Sequence, residues 1–469
     1  MPYLPQIPDS ISDAARMLRS GTLNVTELVK ASLTRARLLQ STLNACITIA
    51  ESHALRRAAA LDAEFQSCID RGVLHGIPIV HKDCFDTAGI LTTRGSRYFA
   101  HNVPSEDATV VKRLEQAGCV MIGKANMNEL ATGGSGDNEF VGAVRNPWNL
   151  SRSAGGSSSG TAVALAAGIC LGGTGTDAGG SIRGPASWNG IVGIRPSAGV
   201  VSKTGCFPRS YSFDCAGPLA RTVEDAAILL SAIAGYDPAD ASSVECTSGD
   251  YVAAIGSDVR GLRLGVIADY TFSEIDLSVA RSIEAVVATY QRLGVTVRSI
   301  ELPAVNREFN YRALFDILQY EFNKILGPEY YACKDREHFF GRVVRANMER
   351  GRLVSDDAYH RALASRGSAV GEIRACFIDV DALLTPCQPF VAQPFESRDE
   401  VFDRCRQFML PFSFAGLPSI SVPCGFDERG MPIGVQLVCD LFQEKRMIAM
   451  AHAYAVQTDH HLRRPPVLM

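Results

Sequence analysis

The chain has 469 residues, 46% of them hydrophobic and 20% charged, with a formal net charge of −4. That composition can bury a large core, and it offers neither the basic stripe of a nucleic-acid binder nor a polybasic membrane patch. No run approaches the roughly 18 apolar residues of a membrane span, and the opening MPYLPQIPDS lacks a basic stretch followed by an apolar one, so a cytoplasmic protein is expected.

In chain order, Asn24 and Glu27 form a capping-box pattern, after which Val25, Leu28, Val29, Leu33 and Ala36 recur at helical spacing. Asp107 is positioned to cap a helix carrying Val110, Val111, Leu114 and Ala117, stopped by Gly118, and CVMI (119–122) then reads as a short buried strand. GTAVALAAG (160–168) reads as a helix of small residues and ICLGGTGTD as the strand after it. Thr222 to Gly235 is a helix with a threonine cap and a glycine stop, and 262–302 is a strand, helix, strand unit. Late in the chain ALLTP, SISVPCGF and IGVQLVCD are strands, and EKRMIAMAHAYAVQT is a closing helix.

Alternation over the whole length predicts an α/β protein, with helices on both faces of a central mixed, mostly parallel β-sheet. No Ser/Gly-rich linker separates finished units, so residues 1–469 are expected to form a single domain. Residues 305–378 break the rhythm. They are charged, aromatic and helix-like, and read as a helical excursion from the sheet. The fourteen cysteines include no C-x-x-C pair and are expected as reduced thiols. The nine histidines show no H-E-x-x-H spacing, so no metal is expected.

The chemistry centres on TGTDAGGSIRGP (174–185), where Ser181 follows two glycines outside any G-x-S-x-G elbow. A serine hydroxyl needs a base within hydrogen-bond reach to attack a carbonyl at neutral pH. Upstream, AGGSSSG (154–160) opens a predicted helix. Further upstream, PIVHKDCFD is a strand-like apolar run interrupted by Lys82. Desolvation lowers a lysine pKa, and a neutral lysine is a usable base. His81, Cys84 and Cys206 offer rival chemistry, but neither thiol has an evident activating partner in the sequence. His81 neighbours Lys82 on the strand and is expected to face away from the site. GTGTDA (173–178) matches a dinucleotide-binding pattern, yet Pro185 follows closely and no acidic residue stands about 20 positions on.

GGSSSGTAVALAAGICLGGTGTDAGGSIRGPAS, with HKD upstream and AGLPSISVPCGFDERGMPIGVQLV downstream, resembles the amidase signature family over about residues 10 to 457. The resemblance implies a triad in which Ser181 is the nucleophile, Ser157, after a cis peptide bond, is the bridging serine, and Lys82 is the ultimate base. The turn Ala178, Gly179, Gly180, Ser181 has little side-chain bulk, so its N–H groups are expected to converge on a developing oxyanion. Ser158 is either a hydrogen-bond donor behind the triad or a first-turn residue. Asp177 and Arg183 are expected to orient the site rather than react.

An amidase acting on linear amides is therefore expected, with an acyl-enzyme, a small-molecule amide as partner and no cofactor. Nothing in the sequence fixes the oligomeric state, and a homodimer is compatible with it. The family also includes carbamate-cleaving enzymes and the glutaminase subunit of the tRNA-dependent amidotransferase, which NELATGGSGDNEFVGAVRNPWN resembles. That subunit carries an acidic residue where RCRQFMLPFSFAGLP here has Arg406, a cation that would repel an α-ammonium group. Nine aromatic residues lie between Phe309 and Phe340 (Phe309, Tyr311, Phe315, Tyr320, Phe322, Tyr330, Tyr331, Phe339, Phe340). The resemblance places this segment over the active site, so a stand-alone hydrolase of aryl or bulky apolar amides, carbamates or esters is the expected reading. Two alternatives stand beside it, the glutaminase of the tRNA-dependent amidotransferase and a catalytically silent binding subunit.

Overall fold

The computed structural model describes residues 4–245, 249–305, 307–397 and 399–468. Thirteen strands are found among them: β1 (Cys46–Ile49), β2 (Pro78–Lys82), β3 (Val120–Ala125), β4 (Arg145–Asn146), β5 (Asn149–Ser153), β6 (Gly172–Asp177), β7 (Val192–Arg195), β8 (Cys215–Ala220), β9 (Arg263–Ile267), β10 (Thr296–Ile300), β11 (Ala382–Pro386), β12 (Ser419–Phe426) and β13 (Pro432–Val438). All but the β4–β5 hairpin join one sheet in the order β1-β3-β2-β6-β8-β7-β12-β13-β11-β9-β10. The expected α/β architecture with a mixed sheet is what the chain has. Parallel pairing is concentrated in β3-β2-β6 and β11-β9-β10, and the strands between them alternate in direction.

Strands β2, β3, β6 and β8 are buried along their whole length, as strands covered on both faces must be. The edge strand β10 leaves three of its five residues exposed. The helix Ser159–Ala166 is wholly buried against β6, β2 and β8, and its small side chains let it lie close. A Cβ on Gly160 would stand 2.3 Å from the Ala45 carbonyl oxygen, so a larger residue would force the helix off the sheet.

The capping box closes as its residues suggest, with Asn24 accepting from Glu27 N and Glu27 from Asn24 N. Thr222 likewise caps Val223–Ile233 through Asp225 N. Asp107 does not cap Thr109–Gln116, because its Oδ1 instead accepts from Ala88 N at 2.7 Å, and Ala108 takes the N-cap position. Residues 305–378 carry four α-helices, Arg307–Ala332, Arg336–Phe339, Arg342–Leu353 and Asp356–Ala375. The first packs against the third and fourth.

Candidate active site

The site forms where β2 and β6 end and the helix Ser159–Ala166 begins. Lys82, the last residue of β2, is fully buried, and its Nζ lies 2.7 Å from Ser157 Oγ and 2.7 Å from Thr176 Oγ1. Among the described residues no carboxylate oxygen comes within ion-pair distance of this amine. Burial therefore dominates and lowers the Lys82 pKa from its ordinary 10.5, opposed by weaker attractions, the largest from Cys84. A neutral amine keeps one lone pair, which can accept the Ser157 hydroxyl proton.

Ser157 follows a cis peptide bond from Gly156 and is itself fully buried. Ser158 precedes the helix without capping it. Its N–H donates to Ser181 O at 3.2 Å, and its Oγ lies 3.3 Å from both Thr176 N and Thr176 O. The two glycine-serine turns are thus laced together through Ser158. Ser181 is half-buried, and its Oγ makes no hydrogen bond to another described residue.

Asp177 shapes the turn that carries Ser181. Its carboxylate accepts from Gly180 N at 2.7 Å, Ile182 N at 3.2 Å, and Arg183 Nε and Nη2, both at 3.0 Å. Burial alone would raise its pKa, but Arg183, Arg195 and these donors hold it well below the carboxylate range. Arg183 extends the brace to Gln436 Oε1 at 2.6 Å, Ser413 Oγ at 2.6 Å and Met409 O at 3.2 Å. Arg195 donates to the carbonyl oxygens of Asp177 and Phe213.

One member of the expected oxyanion set drops out. The Gly180 N–H is committed to Asp177 and cannot also serve an oxyanion, whereas the N–H groups of Ala178, Gly179 and Ser181 have no acceptor among the described residues. Gly180 has φ +113°, and a Cβ there would meet Met409 Cε at 2.7 Å, so this turn requires glycine for its conformation.

His81 takes no part. Its Nδ1 lies 2.9 Å from Thr174 Oγ1, and burial pushes its pKa down to about 3, so it is neutral. Cys84 and Cys206 are free, with sulfurs 3.8 Å apart.

Ala178, Gly179 and Ser181 face a cavity of about 170 Å³, bounded by the loop 131–135, by Phe402, Asp403 and Arg406, and by Arg209. The excursion supplies its remaining wall through Phe315 and Leu318 of its first helix and Arg342, Val343, Ala346, Asn347 and Arg350 of its third. The expected aromatic wall is largely missing. Of the seven aromatics whose side chains are described, Phe315 alone lines this cavity, while Phe322, Tyr330 and Phe340 pack with Leu130, Val344 and Met348 in a separate core. Tyr320 stacks on Tyr359, with ring centroids 4.1 Å apart. The side chains of Phe309 and Tyr311 lie outside the described residues.

Thr176, Arg195, Arg209 and Gln436 did not stand out in the sequence. Thr176 was legible in principle, as the hydroxyl residue just before Asp177 on the strand leading to Ser181. The other three are recruited from distant segments by the fold alone.

No helix among the described residues is long and apolar enough to cross a membrane, and no group of three or more His, Cys, Asp or Glu is placed to hold a metal. The family model for amidase matches residues 27–448. The glutamyl-tRNA(Gln) amidotransferase A subunit of Marinomonas sp. is 38% identical over 97% of this chain and 98% of its own length. Its namesake from Coxiella burnetii is 36% identical over 97% and 99%. Among solved structures, the peptide amidase of Stenotrophomonas maltophilia superposes with a TM-score of 0.89 at 33% identity, covering 99% of each chain. 6-Aminohexanoate cyclic dimer hydrolase gives 0.91 at 26%, covering 99% of this chain and 100% of its own.

Proposed function

The chain belongs to the amidase family, and from that membership we propose that it cleaves the C–N bond of a small carboxamide through a covalent acyl-enzyme on Ser181. The observation that carries this reading is a buried lysine bonded to two hydroxyls and, among the described residues, to no carboxylate. Neutral Lys82 takes the Ser157 proton as Ser157 takes that of Ser181, and the Ser181 oxygen bonds to the carbonyl carbon. Negative charge gathers on the carbonyl oxygen, where the N–H groups of Ala178, Gly179 and Ser181 are available to it. Each such donor is worth about 3 kcal/mol of barrier. Collapse breaks the C–N bond as the relay returns a proton to the leaving nitrogen, and water then releases the acid by the same route in reverse. Asp177 and Arg183 act by holding the turn, and no step calls for a cofactor. Residues 1–469 work as one domain in this reading, with 305–378 forming the variable wall of the pocket.

For the substrate, the likeness to the amidotransferase relatives supports ammonia release from a primary amide better than it supports the aryl-amide hydrolase expected from composition. The thin aromatic lining of the cavity points the same way. A stand-alone hydrolase is the second reading, favoured by Arg406 at a cavity where glutamine would bring an ammonium group. A fluorophosphonate probe tests the common core. Ser181 is expected to be labelled in the native protein, and labelling should vanish in Ser181→Ala. A native protein that takes no label and turns over no amide would overturn the reading.

A further inference from the structure

Four guanidinium groups, those of Arg209, Arg342, Arg350 and Arg406, line the cavity beside Ser181, against one carboxylate, that of Asp403, among the described lining residues. Such a ratio is costly unless the cations are exposed or neutralised. Arg342 and Arg350 are exposed, one helical turn either side of Ala346 on the same face of Arg342–Leu353.

Arg209 is different, being only 6% exposed and in no ion pair among the described residues. Its Nη1 donates to Leu318 O at 2.8 Å, its Nη2 to Asn347 Oδ1 at 3.2 Å, and its guanidinium lies 4.1 Å from the centre of the Phe322 ring. The acids near it are spent elsewhere. Asp214 accepts the backbone N–H groups of Arg209 and Ser210, and Glu321 accepts from Ser210, Ser212 and Tyr359. Burial lowers the Arg209 pKa to about 10, opposed by the attraction of Asp214 and aided by a smaller repulsion from Arg406.

Arg406 faces the same space and is likewise without an ion pair among the described residues. It is held close to the loop, since a Cβ on Gly134 would stand 2.6 Å from its Nη2. Two neighbouring guanidinium groups, one buried and neither paired with a described carboxylate, make a ready receptor for an anion.

We propose that this cavity binds the carboxylate of an acyl group, so that the preferred substrate is the half-amide of a short dicarboxylic acid carrying no ammonium group, with Arg406 as the residue that sets this specificity. The inference rests on Ser181 being the nucleophile. The small cavity suits a short acyl chain, and the cations reject the α-ammonium of an amino acid while accepting its carboxylate.

Two measurements test it. In the first, malonate, succinate and glutarate are titrated into the native protein and into Arg406→Gln by calorimetry. At least one diacid is expected to bind, about tenfold or more weakly in the variant, with Arg406→Lys recovering part of the loss. In the second, kcat/KM is compared for glutaramate, glutamine and pentanamide, which share a reacting amide and differ in carrying a carboxylate, a carboxylate with an ammonium, or neither. Glutaramate is expected to lead, and its advantage to shrink in Arg406→Gln mainly through KM. Failure of all three diacids to bind overturns the proposal whether or not any amide is hydrolysed. Pentanamide matching glutaramate in a protein whose Ser181 still takes fluorophosphonate overturns it while leaving the nucleophile intact. Glutamine leading both would overturn it in favour of an ammonium-tolerant site.

Discussion

Two lysines are buried at the ends of the adjacent parallel strands β2 and β3, and the chain treats them in opposite ways. Lys124 gives its three protons to Phe85 O at 2.5 Å, Thr92 Oγ1 at 2.7 Å and Thr87 Oγ1 at 3.1 Å, with Asp83 Oδ1 3.8 Å away. Every proton of an ammonium is used, and a counter-charge is present. Lys82 has two hydroxyl neighbours and, among the described residues, no carboxylate at that range. Burial lowers both pKa values, but only at Lys124 does an adjacent carboxylate oppose it strongly. The first lysine is surrounded by the acceptors an ammonium needs and holds a loop to the sheet, whereas the second has only hydroxyl partners, which a neutral amine can share. Burial alone does not make a base, since the partners decide which form the site stabilises.

Replacing each lysine by methionine separates these roles. Lys82→Met is expected to lower kcat/KM by roughly a thousandfold or more, the scale of a lost general base. The folded chain should survive, with a thermal midpoint equal to or above that of the native protein, because a desolvated amine gives way to an apolar side chain. A folded Lys82→Met enzyme with near-native turnover would erase the distinction. Lys124→Met should do the reverse, costing about 3–5 kcal/mol in urea unfolding by stranding Asp83. Adding Asp83→Leu should recover part of that loss, which an arrangement without coupling between the two groups would not allow.

The pH dependence sharpens the contrast. In the proposed relay the reactive form of Lys82 is the unprotonated one, so kcat/KM should rise with pH through its depressed pKa and level off above it. The limb should persist in His81→Ala, since that imidazole is already neutral. Stability carries the same sign. The folded pKa of Lys82 lies below its ordinary 10.5, so the unfolded chain binds more protons between the two values. The native protein should therefore gain stability relative to Lys82→Met as pH rises across that window. A gap independent of pH would mean that Lys82 is charged when folded.

Much of this was legible in the sequence because it depends on local pattern. Hydrophobic periodicity and the Asn24 and Thr222 caps located elements to within a few residues, and the glycine-serine clusters with the lysine of HKD marked the groups that converge. What escaped was set by competition between segments. Asp107 has the right spacing to cap a helix, yet its carboxylate finds the Ala88 N–H first. Gly180 belongs to a turn of free N–H groups, but Asp177, three residues earlier, claims its donor. The aromatic run 309–340 suggested a pocket wall, and most of its described rings bury one another, because packing ring against ring gains more than lining a hydrated cavity. The pairing of Arg209 with Arg406 joins segments almost two hundred residues apart and leaves no trace in either neighbourhood.

The smallest expected effect concerns the two thiols on the Lys82 side of the site. Cys84 Sγ lies 4.0 Å from Thr176 Oγ1 and 3.8 Å from Cys206 Sγ, so it reaches the hydroxyl that supports Lys82 and makes no hydrogen bond to the amine itself. If Lys82 works through Ser157, removing either sulfur takes away a weak contact and no acceptor for Nζ. A thiol contact is worth little beside the two hydrogen bonds that hold the amine. Cys84→Ala and Cys206→Ala are therefore expected to keep kcat/KM within about threefold of native and to leave fluorophosphonate labelling of Ser181 intact. An acid limb that moved by a full pH unit in Cys84→Ala would show instead that the thiol shares the titration of Lys82. The contrast with Lys124 would then rest on a coupled pair rather than on a lone amine.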